Sequence, residues 1–410
     1  MSVQSPRPAH GSRARPRSLP AAALVVAILA AACGSTSSTA PAPSGSAVGA
    51  GPATTPERPG GTAAITPTPT PVPSPTAVST PTPSPTPAPT PELAVAPLTG
   101  RLVAPDLAAR RPIAVMVDDH WNARPQSGFN AASVVWQAPA EGGIPRYMMV
   151  FAEGDPPAVG PVRSARVYFV EWAAEWDAVY VHVGGSPGAM TLLRQKGQGQ
   201  LVYDADEFRW GRTHLWRTTD RRPPHNVYTD GEHLRALAER LGADDVDASP
   251  AWSFVPDAPL GQRPAGARID LADQLNRVAY RYHRPTNTWR RSVGGKGQRD
   301  ASDNRVVAPT NVVIMEVAFG SLGANQKGRL EAANVGKGRA WIAANGIVTK
   351  GTWRKDSVTE PTRFYDAAGQ PAALAVGQTF VQVIPPGTPL KIVAGKRVVN
   401  PPQAAGRAAT

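Results

Sequence analysis

The chain has 410 residues, a formal net charge of +12 at pH 7 and a single cysteine. One cysteine excludes a disulfide scaffold, and without a long basic run, a zinc knuckle or an RNA-binding motif there is no recognisable reader of nucleic acid. A basic surplus of this size suits anionic partners such as phosphodiester glycopolymers or lipid headgroups.

The N-terminus carries Arg7, Arg13, Arg15 and Arg17 without an acidic residue, then the apolar run AAALVVAILAAA, then Cys33. This is the layout of a secretory signal, and the apolar run is shorter than the roughly 20 residues that span a bilayer. Small residues before a cysteine followed by Gly34 resemble a bacterial lipobox, with Ala30 where leucine is usual and Leu29 one place early. Residues 1–32 are therefore expected to be a lipoprotein signal peptide, and Cys33 the lipidated mature N-terminus. Cleavage at an A-x-A site, leaving Cys33 as a free thiol, is the plainer alternative.

Residues 33–96 are nearly all Pro, Thr, Ser, Ala and Gly, as in TPTPTPVPSPT and STPTPSPTPAPTPE. No Phe, Trp or Tyr precedes Trp121, so this segment has no large apolar groups to offset the entropy of folding. A disordered, polyproline-biased tether is expected, with residues 66–91 reaching on the order of 80 Å. Setting aside the four arginines of the signal and one net negative charge in the tether leaves about nine positive charges on the rest.

The remaining length suggests two domains. In 97–250, RPIAVMVDD (111–119), SVVWQAPAEGG (133–143) and IPRYMMVFAEG (144–154) read as strands. AVGPVRSARVYFVEW (158–172) leads into a two-faced helix, on the spacing of Val167, Val170 and Ala174 against Glu171 and Glu175. DAVYVHVGGSPGAMTLLRQ reads as strand, Gly-Gly loop and helix. A further helix from about Asp230 to Leu241 has Thr229 and Glu232 in the spacing of a capping box. Strands alternating with helices make this an α/β or α+β domain. Residues 251–267 read as a linker and 268–398 as a smaller β-rich domain, with hairpins in VAYRYHRPTNTWRRS and in RAWIAANGIVTKGTW, where Asn345-Gly346 suits a type I′ turn. Residues 399–410 are expected to be a disordered tail.

Three helix starts are furnished for ligand binding. At the first, Ser164 is placed to cap, and Arg163 and Arg166 flank free amides; such an end attracts phosphate or carboxylate, and guanidinium adds bidentate contacts. At the second, Gly184 and Gly185 allow a tight turn, Ser186 is an N-cap and Pro187 occupies the first helical position, with His182 close by. At the third, RRPPHNVYTD, two prolines fix the backbone beside Arg222, His225 and Asn226. The structural alternatives are solvated arginines, a hydrogen-bonded histidine and a simple proline turn. Asp118, Asp119 and Glu141 end strands and offer a general base or hard oxygen ligands. His182, His225, Asp118 and Glu141 are thus the catalytic candidates. No motif for serine-triad, zincin or thiol chemistry occurs, and no cofactor or bound metal is expected.

RPIAVMVDDHWNARPQSGFNAASVVWQAPAEGGIPRYMMVFAE, GPVRSARVYF, WDAVYVHVGGSPGA and RPPHNVYTD together resemble the N-terminal domain of the YerB-like bacterial lipoproteins. NVVIMEV, VGKGRAWIAANGIVTKGTWRK, TRFYDAAGQ and GQTFVQVIPPGTPL resemble that family's C-terminal domain. The resemblance runs through residues 98–390 and implies lipid anchoring in the bacterial envelope. The family is of unknown function, so no reaction comes with it. A looser similarity to LytR–CpsA–Psr enzymes implies that Arg146, Arg163 and Arg166 take the part of pyrophosphate-binding arginines.

These features point to an extracytoplasmic protein, lipid-anchored to the cell membrane, that binds an anionic envelope ligand: a phosphorylated glycopolymer or a lipid-linked precursor. The binding set is Arg146, Arg163, Ser164, Arg166, Gly184, Gly185, Ser186, Arg222, His225 and Asn226. The alternatives are a phosphotransferase or hydrolase acting on cell-wall glycopolymers, marked by clustered titratable groups, and a scaffold for a protein partner, marked by an exposed apolar patch.

Overall fold

The computed structural model describes residues 92–194, 201–243, 245–246, 252–272 and 275–398. The expected signal peptide, Cys33, nearly all of the tether and the C-terminal tail lie outside these residues. Among the described residues no helix is long and apolar enough to cross a membrane.

Ten strands form one central sheet. The first five are β1 (Ile113–Asp118), β2 (Val134–Ala138), β3 (Arg146–Phe151), β4 (Val179–His182) and β5 (Tyr203–Asp206). Helices α1 (Val167–Ala173), α2 (Pro187–Leu193), α3 (Glu207–His214) and α4 (Gly231–Arg240) lie among or after them. A second sheet contains β6 (Arg268–Ala272), β7 (Arg277–His283) and β8 (Thr288–Val293). The chain then returns to the central sheet with β9 (Asn311–Glu316), β10 (Gly336–Ala344), β11 (Ile347–Lys355), β12 (Arg363–Asp366) and β13 (Thr379–Ile384), and closes the second sheet with β14 (Leu390–Val393). The central order is β12-β11-β10-β9-β13-β2-β3-β1-β4-β5. The join is β13 running parallel to β2, with Phe380 opposite Val135 and Gln382 opposite Gln137. The mixed α/β first half and strand-rich second half match the fold class expected from the sequence, and they share one sheet.

Alternation along the strands builds a core on each face. Ala114, Met116, Trp136 and Met148 pack with Tyr168, Phe169 and Trp172 of α1, and Trp136 stacks on Trp172 at 4.8 Å. Val115, Val117, Val135 and Met149 face the other way, toward Leu234 and Leu237 of α4 and toward Ile269, Tyr280 and Trp289 of the second sheet. Burial on both faces explains why β1, β2 and β3 are apolar almost throughout.

Several local expectations change. Helix α1 is nearly all buried rather than two-faced: Tyr168, Phe169, Val170, Trp172 and Ala173 are covered, and Glu175 is buried against Lys355. Ser164 does not cap it; the N-cap position is Arg166, without a side-chain cap. Asp230, not Thr229, caps α4, accepting from the His233 amide. Thr229 is held in a bridge to Val159 and donates its hydroxyl to the His214 carbonyl. Within the stretch read as a linker, Ser253–Val255 is a strand parallel to Ala373–Ala375. Asn345 and Gly346 both have positive φ, 51° and 77°, as a type I′ turn requires.

The buried contacts that tie the halves together include those of two cations, Arg291 and Lys355. Arg291 of β8 reaches Gln137 of β2 and the Tyr147 hydroxyl of β3. Lys355 of β11 donates to Glu175 at 2.9 Å and to the Glu360 carbonyl at 2.6 Å, while Thr362 donates its amide to Glu175 at 3.0 Å. Removing one partner strands a buried charge, so Lys355→Met is expected to destabilise by about 3–5 kcal/mol. The double variant Glu175→Leu/Lys355→Met should recover most of that loss in urea denaturation.

Candidate functional site

Segments 159–163 and 221–226 meet at the end of β1. Val162 bridges Val117, and the Arg163 amide donates to the Met116 carbonyl at 2.8 Å, so the segment runs extended beside β1. This sets Arg163 Nε 3.0 Å from Asp118 Oδ2. His225 Nδ1 lies 2.7 Å from the same oxygen. Because Nδ1 faces a carboxylate it carries a ring hydrogen, and in the neutral ring Nε2 then keeps the lone pair. His120 stacks on His225 at 4.7 Å, and its Nδ1 accepts from the Asn122 amide, so its ring hydrogen sits on Nε2. Burial and the neighbouring His225 push the His120 pKa down and favour its neutral form. Trp121, 61% exposed, packs on His120 with centroids 3.7 Å apart.

The other end of the 163–166 segment builds a second cluster. Arg166 grips Glu141 through Nε at 2.6 Å and Nη2 at 2.7 Å, a bidentate fork. Arg146 Nη2 is 3.6 Å and Arg329 Nε 3.7 Å from the same carboxylate. Arg146 also donates to the Ser164 carbonyl. Burial works to raise the Glu141 pKa, but Arg166 and Arg146 outweigh it and hold the carboxyl below its usual value. Burial and the charge of Arg166 bring Arg146 down to about 10. Three guanidinium groups thus share one carboxylate. An apolar pocket of about 450 Å³ adjoins, lined in part by Pro139, Pro145, Phe319, Leu330, Ile384 and Pro385.

The Gly-Gly loop is occupied by its own fold. Ala165 bridges Gly185, so the first two helix starts pair with each other. The Gly184 amide donates to Asp206 at 2.9 Å, and its carbonyl faces His182 Nδ1 at 2.9 Å. His182 Nε2 is held by Asp204 at 2.8 Å, so this buried histidine has both nitrogens engaged. Ser186 caps α2 by accepting from the Ala189 amide. Asn226 is also committed locally, donating to the Thr218 carbonyl and accepting from Arg217. Arg222 is exposed and makes no ion pair among the described residues. Of the four catalytic candidates, Asp118 and His225 are in contact; Glu141 belongs to the arginine cluster and His182 to the Asp204 site. Asp119 is buried and accepts from Arg124, Gln126 and Gln137. Among the described residues no group of three or more His, Cys, Asp or Glu is disposed to hold a metal ion.

Sequence reasoning missed His120 and Trp121, although they directly follow Asp118-Asp119, and missed Arg329, nearly two hundred positions from Glu141. It also passed over the arginines of VAYRYHRPTNTWRRS, whose alternation within a hairpin was a usable signal. For Glu141, a pKa depressed by folding means stability that is present above the ordinary value of 4.5 and lost as pH falls through the depressed one. Glu141→Gln is therefore expected to lower the urea midpoint at pH 7, with the gap from the wild type closing as pH drops below 4.5.

Comparison with known proteins agrees with this architecture. Residues 98–244 match the family model described as "Protein of unknown function (DUF3048) N-terminal domain", and residues 268–381 match the corresponding C-terminal domain. The "Putative lipoprotein YerB" of Bacillus subtilis (strain 168) is 31% identical over 294 residues, covering 71% of this chain and 86% of that protein. The crystal structure of YerB from Bacillus subtilis superposes with a TM-score of 0.65 at 28% identity, covering 73% of this chain and 99% of that one. With both domains matched in order, the chain belongs to the DUF3048 family of YerB-like proteins.

Proposed function

We propose that this protein is an extracytoplasmic lipoprotein, anchored to the cell membrane through Cys33, that binds an anionic cell-envelope ligand at the Arg146–Arg166–Arg329 cluster. The signal layout ending in Cys33 and the name of the Bacillus relative support the anchor. The observation that carries the binding site is the charge imbalance around Glu141. Arg146 and Arg166 have side chains only 10% and 9% exposed, yet with Arg329 they share a single carboxylate. Buried cations without full compensation are costly, and an anion arriving beside them relieves that cost. The apolar pocket beside the cluster favours a lipid-linked phosphate over a free polymer, since it offers an alkyl chain about 0.8 kcal/mol for each methylene buried. Of the residues expected to bind, Arg146 and Arg166 act directly. Arg163 and Ser164 belong to the segment that joins this cluster to Asp118, and the Gly184–Ser186 loop supports that segment.

Dodecyl phosphate below its micelle concentration should bind, measured by calorimetry, and neutral dodecyl maltoside should bind at least tenfold more weakly. Glu141→Gln, which removes the competing carboxylate, should tighten dodecyl phosphate, and Leu330→Trp, which fills the pocket, should weaken it. Equal binding of the two detergents, or insensitivity to both variants, overturns the site. Cys33→Ser should release the protein from the membrane fraction.

One observation favours the enzymatic reading as a second possibility. Asp118 orients His225 through Nδ1, so that Nε2 of the neutral ring is available as a base, beside His120, whose Nε2 carries a hydrogen. A hydrolase or phosphotransferase using this pair should show activity lost in both His225→Gln and Asp118→Asn; turnover of a phosphodiester unaffected by either excludes it.

A further inference from the structure

The outer face of the second sheet carries an unusual row. Arg268 of β6 lies directly opposite Arg281 of β7, which lies directly opposite Arg290 of β8. Alternation makes this the solvent side, because Ile269, Tyr280 and Trp289, one position along each strand, are buried against the central sheet. Arg277 and Lys391 border the same cleft, whose volume is about 870 Å³. Among the described residues Asp270 is the one carboxylate lining it, and it is taken by Arg268 at 2.6 Å. Arg277, Arg281, Arg290 and Lys391 make no ion pair among the described residues. Like charges directly across a strand pair repel and destabilise the sheet. Protection against edge-to-edge aggregation does not explain the row, since β7 is flanked on both sides.

Small residues also line the cleft, Ala272, Ala279, Ser292, Gly295 and Gly297, and the Asp270–Ala279–Ser292 row lies beside the arginine row. Neighbouring strands are about 4.8 Å apart, so the row sets cations at short, regular intervals over a trough. A flat membrane surface meets arginine tips but does not fill such a trough. A thin chain bearing a negative group every few ångströms does both.

We propose that this cleft, which shares Leu271, Ala272, Val278 and Pro389 with the pocket beside the Glu141 cluster, is a second binding site, for a linear polyanion whose phosphate groups lie along the Arg268–Arg281–Arg290 row. Arg281 and Arg290 then exchange repulsion by their neighbours for charge-assisted hydrogen bonds, while Arg268, already paired with Asp270, adds its charge at the end of the row, and counterion release makes binding strongly salt-dependent.

The test titrates the whole protein with inorganic polyphosphate at 50 and 200 mM salt. Affinity is expected to fall at least tenfold over that interval. Arg281→Ala/Arg290→Ala should weaken binding at least tenfold and flatten the salt dependence, without lowering the melting temperature, because both side chains are exposed and mutually repelled. Arg290→Gln alone should give a smaller loss of the same kind. Dodecyl phosphate binding should be unchanged in these variants, which separates failure of this site from failure of the Glu141 site. Polyphosphate binding that survives the double variant overturns the inference. So does tighter binding to phosphatidylglycerol vesicles than to polyphosphate when both are compared at equal phosphate concentration.

Discussion

The guanidinium of Arg291 is the contact on which the arrangement of the two sheets depends. It is 1% exposed and leaves β8 to enter the space between the second sheet and the central one. Nε and Nη1 donate to the hydroxyls of Tyr280 and Tyr147, both at 3.1 Å, and the remaining contacts go to Gln137 and Gln298. Gln137 in turn donates to Asp119 at 2.6 Å, which extends the network to the end of β1. The cation also lies 5.1 Å from the Phe380 ring centroid, on the strand that joins the two halves. A charge so deep is tolerable only when its donors are matched, so the network fixes how β8 sits against β2, β3 and β13 more narrowly than apolar packing alone requires.

The same economy governs the candidate site. Residues 163–166 form a short extended bridge with one end at Asp118 and the other at Glu141. At the Asp118 end, one carboxylate oxygen faces both Arg163 and His225. At the Glu141 end the balance is reversed, with three cations on one carboxylate. The two ends therefore have different chemical character, a carboxylate holding an arginine and a histidine at one and a cation surplus at the other. The arginines that a sequence reader groups by proximity serve different partners because consecutive residues of an extended segment point to opposite sides.

Much of the architecture was legible in local pattern. The apolar runs of β1 to β3 announced strands buried on both faces, and Ser186-Pro187 announced a helix start that the structure retains. Asn345-Gly346 marked its hairpin because few residue pairs accept two positive φ angles. Where local signals competed, long-range contacts chose. Thr229 and Asp230 both suit an N-cap, and Asp230 took the role because Thr229 was drawn into pairing with Val159. The helix after Arg166 looked two-faced because Glu171 and Glu175 recur at helical spacing, yet Glu175 is buried by a lysine 180 positions away.

The sequence by itself determined the basic character of the chain, its aromatic-free N-terminal third, the division into a mixed and a strand-rich half, and most strand positions, since each follows from composition or from periodicity over a few residues. Only the tertiary structure decided what each charge does. Arg290 and Arg291 are adjacent and chemically identical, yet strand alternation turns one toward solvent in a row of arginines and buries the other at the centre of the network joining the two sheets. That difference comes from register and packing between segments far apart in the chain, which no window of neighbouring residues contains.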